Sequence, residues 1–226
     1  MPNGAISCSA HGFPGRFLND LWFADHKAPR FYPNAVTLTD AAGARSQLDC
    51  ITRLVAKIDK PLTIKDSFHS LDLNPLGFRP LFEAEWIYLP PSQANANADL
   101  VDVCWRPVKT EGNLTEWECR WSDGDPRSSL FTPKFLTVPE TSILAAYRDE
   151  KIIAGCVVQR SSDALGYSNL FLPPVDADAL RIGCVAAIRQ LAPDLPIVGY
   201  ERGSELAAMK QLGFKPTGSL CVWSSE

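Results

Sequence analysis

Hydrophobic residues recur every three or four positions in two long stretches of the chain, and each stretch predicts an amphipathic helix. Leu48, Ile51 and Val55 follow this spacing in the first stretch, and Leu180 and Ile188 belong to the second. Each predicted helix therefore buries one face against another layer of the protein.

Short apolar runs between polar segments predict strands. The runs 61–65 and 196–200 each begin with a proline, which is typical of the first residue of a strand. Further strands are predicted around 81–89, 101–105 and 167–172, and a hairpin is predicted with arms at 143–147 and 152–158.

Polar residues ahead of the helices predict where the helices begin. Asp40 and Asp176 precede the two long helices as N-caps, because a carboxylate there accepts a free first-turn amide hydrogen. Asn113 followed by Glu116 predicts a capped helix that continues through Trp121.

The order of the predicted elements occurs twice, which indicates an internal duplication. Residues 76–80, Leu-Gly-Phe-Arg-Pro, recur as residues 212–216, Leu-Gly-Phe-Lys-Pro, at an offset of 213 − 77 = 136. The same offset places Asp40 on Asp176. Each copy is predicted as strand, helix, strand, short helix and strand.

A polar, low-complexity segment separates the two copies. Residues 92–99 read Ser-Gln-Ala-Asn-Ala-Asn-Ala-Asp and cannot bury enough apolar surface to order themselves. We predict a truncated half-domain at 1–91, a linker at 92–99 and a complete domain at 100–226.

The composition is that of a globular protein. Hydrophobic residues make up 46% of the chain, and the mean hydropathy is −0.07. No segment reaches the ~18 apolar residues of a membrane helix, and the amino terminus has no basic start followed by an apolar run. Seven irregularly spaced cysteines argue for reduced thiols. We expect a cytoplasmic protein without a membrane partner.

The charge of the chain bears on its partners. A net charge of −4 gives no electrostatic footprint for nucleic acid, so we expect no nucleic-acid partner. Cys8 and His11 have the spacing of half a metal site but lack a second ligand pair, and we expect no metal. The sequence leaves a homodimer open.

The second half of the chain resembles the GNAT superfamily of acyl-CoA N-acyltransferases, over residues 100–223. Residues 204–214, Ser-Glu-Leu-Ala-Ala-Met-Lys-Gln-Leu-Gly-Phe, look like the final helix and Gly-Phe turn of that superfamily. The first half looks like the carboxyl-terminal part of the same unit. The resemblance implies an α/β fold with a mixed sheet and a partial internal duplication.

This resemblance implies transfer of an acyl group, usually acetyl, from acetyl-CoA or another acyl-CoA to an amine. Tyr167 and Asn169 are then expected to face the acceptor substrate. The expected contacts to CoA lie on the central strand and at the start of the long helix, and comprise Leu170, Phe171, Leu172, Ala177, Ala179 and Arg181.

The loop before the long helix departs from the superfamily pattern. Residues 173–179, Pro-Pro-Val-Asp-Ala-Asp-Ala, contain no glycine, and two of their amide donors are lost to proline. Asp176 and Asp178 place carboxylates where the pyrophosphate of CoA is expected to bind the helix amino terminus. The tyrosine acid of the superfamily is replaced by Met209 in the second copy and by Leu73 in the first.

The resemblance also requires a general base for the attacking amine. Glu201 is the first candidate because it follows an apolar strand, at the end where open sheets bind ligands. Tyr200 is a neighbouring candidate, and its side chain is expected on the opposite face. Glu118, between Trp117 and Trp121, is the second carboxylate candidate.

Three functional hypotheses remain open from the sequence. The first is an N-acyltransferase that acts on a small amine or an amino sugar. The second is a GNAT-fold protein that has lost transfer chemistry and serves as a ligand-binding or protein-interaction module. The third is an enzyme that uses the same fold with a different cofactor.

Overall fold

The computed structural model describes residues 15–26, 28, 31–58, 61–91, 102–125 and 130–225. Four α-helices lie within these residues: α1 (Ala44–Lys57), α2 (Glu111–Trp121), α3 (Ala177–Leu191) and α4 (Gly203–Gln211). The strands are β1 (Arg16–Phe17), β2 (Leu21–Phe23), β3 (Ala35–Thr37), β4 (Thr63–Asp66), β5 (Phe78–Leu89), β6 (Cys104–Pro107), β7 (Thr141–Arg148), β8 (Lys151–Arg160), β9 (Leu165–Phe171), β10 (Ile197–Glu201) and β11 (Lys215–Ser225).

The chain folds into two compact units. The first contains Met1–Trp86 and Thr217–Glu226, and the second contains Ile87–Pro216. The predicted domains at 1–91 and 100–226 follow the repeat in the sequence and the linker between its copies. The two units instead follow the contacts between residues in the fold. The predicted linker 92–99 and the residues Cys8 and His11 lie outside the described residues.

The first unit is a mixed sheet covered by α1. Its strands follow the order β1, β2, β3, β4 and β11, with β3 and β4 parallel and the other neighbours antiparallel. Ile51 and Leu54 of α1 pack on Ile64 of β4 and on Phe78 in one buried cluster. The helix predicted from the spacing of Leu48, Ile51 and Val55 is therefore confirmed.

The second unit also contains a mixed sheet of five strands, in the order β10, β9, β8, β7 and β6. The β9/β10 pair is parallel, and the other pairs are antiparallel. Cys184, Val185 and Ile188 of α3 pack with Met209 of α4 in the main core cluster of this unit. The second periodic stretch thus forms the predicted helix, and the predicted hairpin is β7 and β8.

The two Gly-Phe turns share one backbone conformation. Gly77 follows a 3-10 helix at Asn74–Leu76 with φ 83°, and Gly213 follows α4 with φ 92°. Both are left-handed positions that favour glycine. Each unit also contains a helix between parallel strands, as β3–α1–β4 and as β9–α3–β10. The duplication itself stays a prediction.

The last strand of each sequence copy contributes to the other unit. Strand β11 ends the second copy, yet it pairs with β4 of the first unit from Cys221↔Asp66 to Ser224↔Thr63. Strand β5 ends the first copy, yet Ile87 and Leu89 at its end are buried in the core cluster of the second unit. The first unit is therefore made from two separate segments of chain, and the boundary between the units falls inside β5 and inside β11.

The helix caps differ from those predicted. Asp40 accepts a hydrogen bond from the Ala42 amide (3.0 Å) and caps a 3-10 turn at Ala41–Gly43, and α1 follows this turn with Gly43 as its N-cap. Asp176 makes no capping bond, because its backbone is left-handed (φ 61°) and its carboxylate pairs with Arg148. Helix α2 is capped by Thr110 rather than Asn113, because the Thr110 hydroxyl accepts from the Asn113 amide (3.2 Å).

None of the helices in the described part of the chain has the length and apolar character needed to span a bilayer.

Candidate functional site

Strands β9 and β10 of the second unit begin as a pair and then separate. Leu165 pairs with Ile197 and Gly166 with Val198, and the ladder ends there, although β9 continues to Phe171 and β10 to Glu201. Beyond Gly166 and Val198 no further pair joins the described residues of β9 and β10. The opening lies at the carboxyl ends of two parallel strands, where open α/β sheets bind ligands.

A β-bulge lies on β9 beside this opening. Two steps along β8, from Gly155 to Val157, correspond to three steps along β9, from Phe171 to Ser168. Asn169 lies within this interval with φ 54°, a left-handed conformation that is uncommon for residues other than glycine. Such bulges re-aim backbone groups and are common next to binding sites.

Tyr167 crosses the opening from β9 to β10. Its hydroxyl donates a hydrogen bond to Oε1 of Glu201 (3.1 Å), and its ring lies edge-on to Phe214 at 6.2 Å between centroids. The ring lies directly over Gly199, where an added Cβ would lie 2.3 Å from a ring carbon. Glycine at position 199 therefore allows the Tyr167 side chain to reach Glu201.

Glu201 is a half-buried carboxyl group whose pKa is shifted. Burial, helped by the charge of Glu205, raises the pKa of Glu201 to about 7, although the hydrogen bond from Tyr167 and the charge of Arg181 oppose this shift. Burial also raises the pKa of Tyr167 well above its usual value, so the phenol remains a neutral donor. A carboxyl group with a pKa near 7 can accept a proton efficiently at neutral pH.

The other two catalytic candidates are placed differently. Tyr200 follows Gly199 on β10, and side-chain alternation directs it to the face opposite Glu201. Burial raises the pKa of Tyr200. Glu118 accepts hydrogen bonds from the backbone amides of Leu130 and Phe131, so its carboxylate holds a loop in place.

The three predicted cofactor residues on the central strand pack through their side chains. Leu170 contacts the main core cluster, Leu172 contacts a smaller cluster, and the Phe171 ring lies edge-on to Trp117 at 5.3 Å. Contacts from these residues to a ligand would therefore involve the main chain.

The amino terminus of α3 is surrounded by ion pairs. Arg148 binds Asp102 and Asp176, each at 2.9 Å. Arg181 is 4% exposed, donates two bonds of 3.0 Å from Nη2 to the carboxylate of Glu205, and binds Asp178 through Nη1. Both guanidinium groups are thus engaged by carboxylates of the protein itself. Ala177 and Ala179 begin the helix between these ion pairs.

Met209, at the position of the superfamily's tyrosine acid, is 1% exposed in the core cluster. It offers no proton to a leaving group.

Sequence reasoning placed Glu201 and Tyr167 near the site but missed the residues that support them. Gly199, Arg148 and Glu205 were not predicted to have a role. A glycine within a buried strand does signal close approach of another group, so the Gly199 contact had a detectable signal. The pairs of Arg148 with Asp102 and Asp176, and of Arg181 with Glu205, had none, because these partners lie 24 to 46 residues away in sequence. The pair of Arg181 with Asp178, three residues apart on α3, is the exception.

Comparisons with known proteins bear on the fold. No model of a known protein family matches the sequence, and no curated protein matches it. Solved structures do match, and several of them are GNAT acetyltransferases. The chain therefore has the GNAT acyltransferase fold, as predicted.

Three of these structures match nearly the whole chain. A conserved protein of unknown function from Staphylococcus epidermidis is 9% identical, with a TM-score of 0.65, over 93% of this chain and 92% of that one. A GCN5-related N-acetyltransferase from Kribbella flavida is 11% identical, with a TM-score of 0.62, over 100% and 96%. A protein assigned to the GNAT acetyltransferases from Novosphingobium aromaticivorans is 13% identical, with a TM-score of 0.58, over 100% and 99%.

Proposed function

We propose that the second unit transfers an acyl group from an acyl-CoA thioester to a primary amine, with Glu201 as the general base. The observation that carries this proposal is the opening between β9 and β10, with a half-buried carboxylate of raised pKa at the end of β10. The GNAT fold supports the reaction class. A small amine or an amino sugar is the proposed acceptor.

The opening suits the linear arm of the thioester. Its free backbone groups on β9 can bind the amide-containing pantetheine arm as an added strand would. The bulge at Asn169 then aims main-chain groups at the thioester carbonyl. Tyr167 and Asn169 lie at the opening and remain the proposed acceptor-side residues.

Glu201 takes the proton that the reaction releases. The attacking ammonium passes one proton to the Glu201 carboxylate, and its nitrogen then forms a bond to the thioester carbon as the C–S bond breaks. The nitrogen gives its second proton to the departing thiolate, so the products are a neutral amide, a free thiol and a protonated Glu201 that returns its proton to water. The departing thiol has a pKa near ~8.5, so it can leave as the thiolate without an acid at position 209. Tyr167 positions Glu201 through the 3.1 Å hydrogen bond.

A second candidate function is a GNAT-fold binding module without transfer activity. The observation that favours it is the set of acidic side chains at the amino terminus of α3, whose two arginines are already paired. This module would bind a ligand or a protein without breaking a thioester.

The two functions are separated by a thiol-release assay. We expect the purified protein to release thiol from acetyl-CoA in the presence of a panel of small amines and amino sugars, with the acylated amine seen by mass spectrometry. Tyr147→Phe is the control for the Tyr167→Phe variant described next, because its hydroxyl contacts Asn113 and not Glu201. Absence of acylated product with every amine, under conditions where the protein is folded, would favour the binding module.

Tyr167 is expected to set the pH dependence of the reaction. Its hydrogen bond lowers the pKa of Glu201, so Tyr167→Phe raises that pKa and moves the midpoint of kcat/KM against pH above 7. A lost hydrogen bond of about 1 kcal/mol corresponds to roughly three- to tenfold lower kcat/KM below pH 7. The two profiles should converge at alkaline pH. An equal loss at every pH would indicate a structural role alone.

A further inference from the structure

The loop before α3 lacks the features that hold a phosphate group. Pro173 and Pro174 have no amide hydrogen, and Asp176 occupies the left-handed backbone position that a glycine would take in a phosphate-binding turn. A helix amino terminus attracts anions through its first amides. Here the carboxylates of Asp176 and Asp178 lie at the same helix end and oppose that attraction.

The ion pairs around the helix end carry an excess of negative charge. Arg148 and Arg181 supply two positive charges, while Asp102, Asp176, Asp178 and Glu205 supply four negative charges, which leaves 2 − 4 = −2. Arg181 is almost fully buried, so it cannot turn toward a ligand without breaking its bonds to Glu205.

The opening between β9 and β10 has the opposite character. It offers unpaired main-chain groups beside Tyr167 and the bulge, which suit an uncharged amide arm. The two parts of one extended donor would thus meet very different surroundings.

We infer that this site recognises its donor by the acyl-pantetheine arm alone and that the α3 amino terminus repels the nucleotide diphosphate. The inference rests on the proposed function and specifies its donor. A pantetheine thioester without the nucleotide is accordingly used as well as acetyl-CoA or better. Like charges oppose binding most at low ionic strength, where screening is weak.

Binding of the free thiols tests the inference without requiring turnover. Calorimetry compares pantetheine with CoA at 0.05 M and 0.5 M NaCl. We expect pantetheine to bind at least as tightly as CoA, and CoA binding to strengthen about threefold or more at the higher salt. A site that holds diphosphate with cations would show the reverse salt dependence.

A pair of substitutions tests the residues. Asp176→Asn with Asp178→Asn removes two negative charges, frees Arg148 in part and should tighten CoA binding about tenfold. Asp163→Asn with Asp194→Asn is the matched control, because it changes the net charge equally at the turn before β9 and at the carboxyl end of α3. We expect CoA binding to this control to stay within twofold of the wild type.

The outcomes separate the donor inference from the proposed function. If CoA bound more than tenfold more tightly than pantetheine, and if salt weakened CoA binding, the inference would be overturned. The proposed acyltransferase function would still stand. Binding of neither thiol, by the wild type or by the Asp176→Asn/Asp178→Asn variant, would overturn both. Turnover of S-acetylpantetheine at a kcat/KM equal to or above that of acetyl-CoA would support both.

Discussion

Glu201→Gln is expected to lower kcat/KM for acyl transfer by about 10²–10⁴-fold, because the amide cannot accept the proton of the attacking amine. The substitution preserves the shape of the side chain, and the amide oxygen can still accept the hydrogen bond from Tyr167. The loss should appear mainly in kcat. Steady-state rates with acetyl-CoA and the best amine of the panel give the measurement.

The rival base provides the comparison for this experiment. Glu118→Gln removes a carboxylate that accepts hydrogen bonds from Leu130 and Phe131, so we expect a change in stability rather than a loss of proton transfer. If Glu118→Gln abolished turnover in a folded protein while Glu201→Gln retained it, the assignment of the base would be reversed.

The raised pKa of Glu201 also has a consequence for folding that needs no substrate. The pKa is about 7 in the folded protein against the usual glutamate value of 4.5, so the unfolded chain loses this proton first as the pH rises. Stability from this group is therefore complete below about pH 4.5 and is lost as the pH rises to about 7. The loss amounts to about 3 kcal/mol, at ~1.4 kcal/mol per pKa unit.

Glu201→Gln removes this dependence. We expect the variant to gain about 3 kcal/mol in its free energy of unfolding relative to the wild type between pH 4.5 and pH 8. Urea denaturation of both proteins at the two pH values measures the difference, in which the contributions of other groups cancel. The exposed Glu140→Gln serves as the control. A constant difference between wild type and Glu201→Gln at both pH values would show that the carboxyl group is not shifted.

The sequence predicted the parts of the fold that depend on local pattern. The spacing of Leu180 and Ile188 predicted α3, and the repeated Leu-Gly-Phe predicted two turns that prove to be left-handed at Gly77 and Gly213. These features depend on residues that are close in the chain, so a single sequence contains them.

The site depends on contacts that a local pattern does not contain. Tyr167 and Glu201 are 34 residues apart, and their hydrogen bond follows from the separation of β9 and β10. Glu201 was predicted because it ends an apolar strand, whereas its shifted pKa follows from burial. The cap predicted for Asp176 was wrong because Arg148, 28 residues away, binds the carboxylate.

The last strand of each predicted sequence copy contributes to the unit that the other copy mainly forms. Strand β11 completes the sheet of the first unit, and the end of β5 completes the core of the second. A gene that lost the second copy at 92–99 would encode the first unit without β11. A gene that lost the first copy would encode the second unit without the end of β5, and it would encode β11 without its partner strand β4. The predicted half-copy can therefore persist even if it binds nothing, because Ile87 and Leu89 at the end of its last strand belong to the core of the second unit.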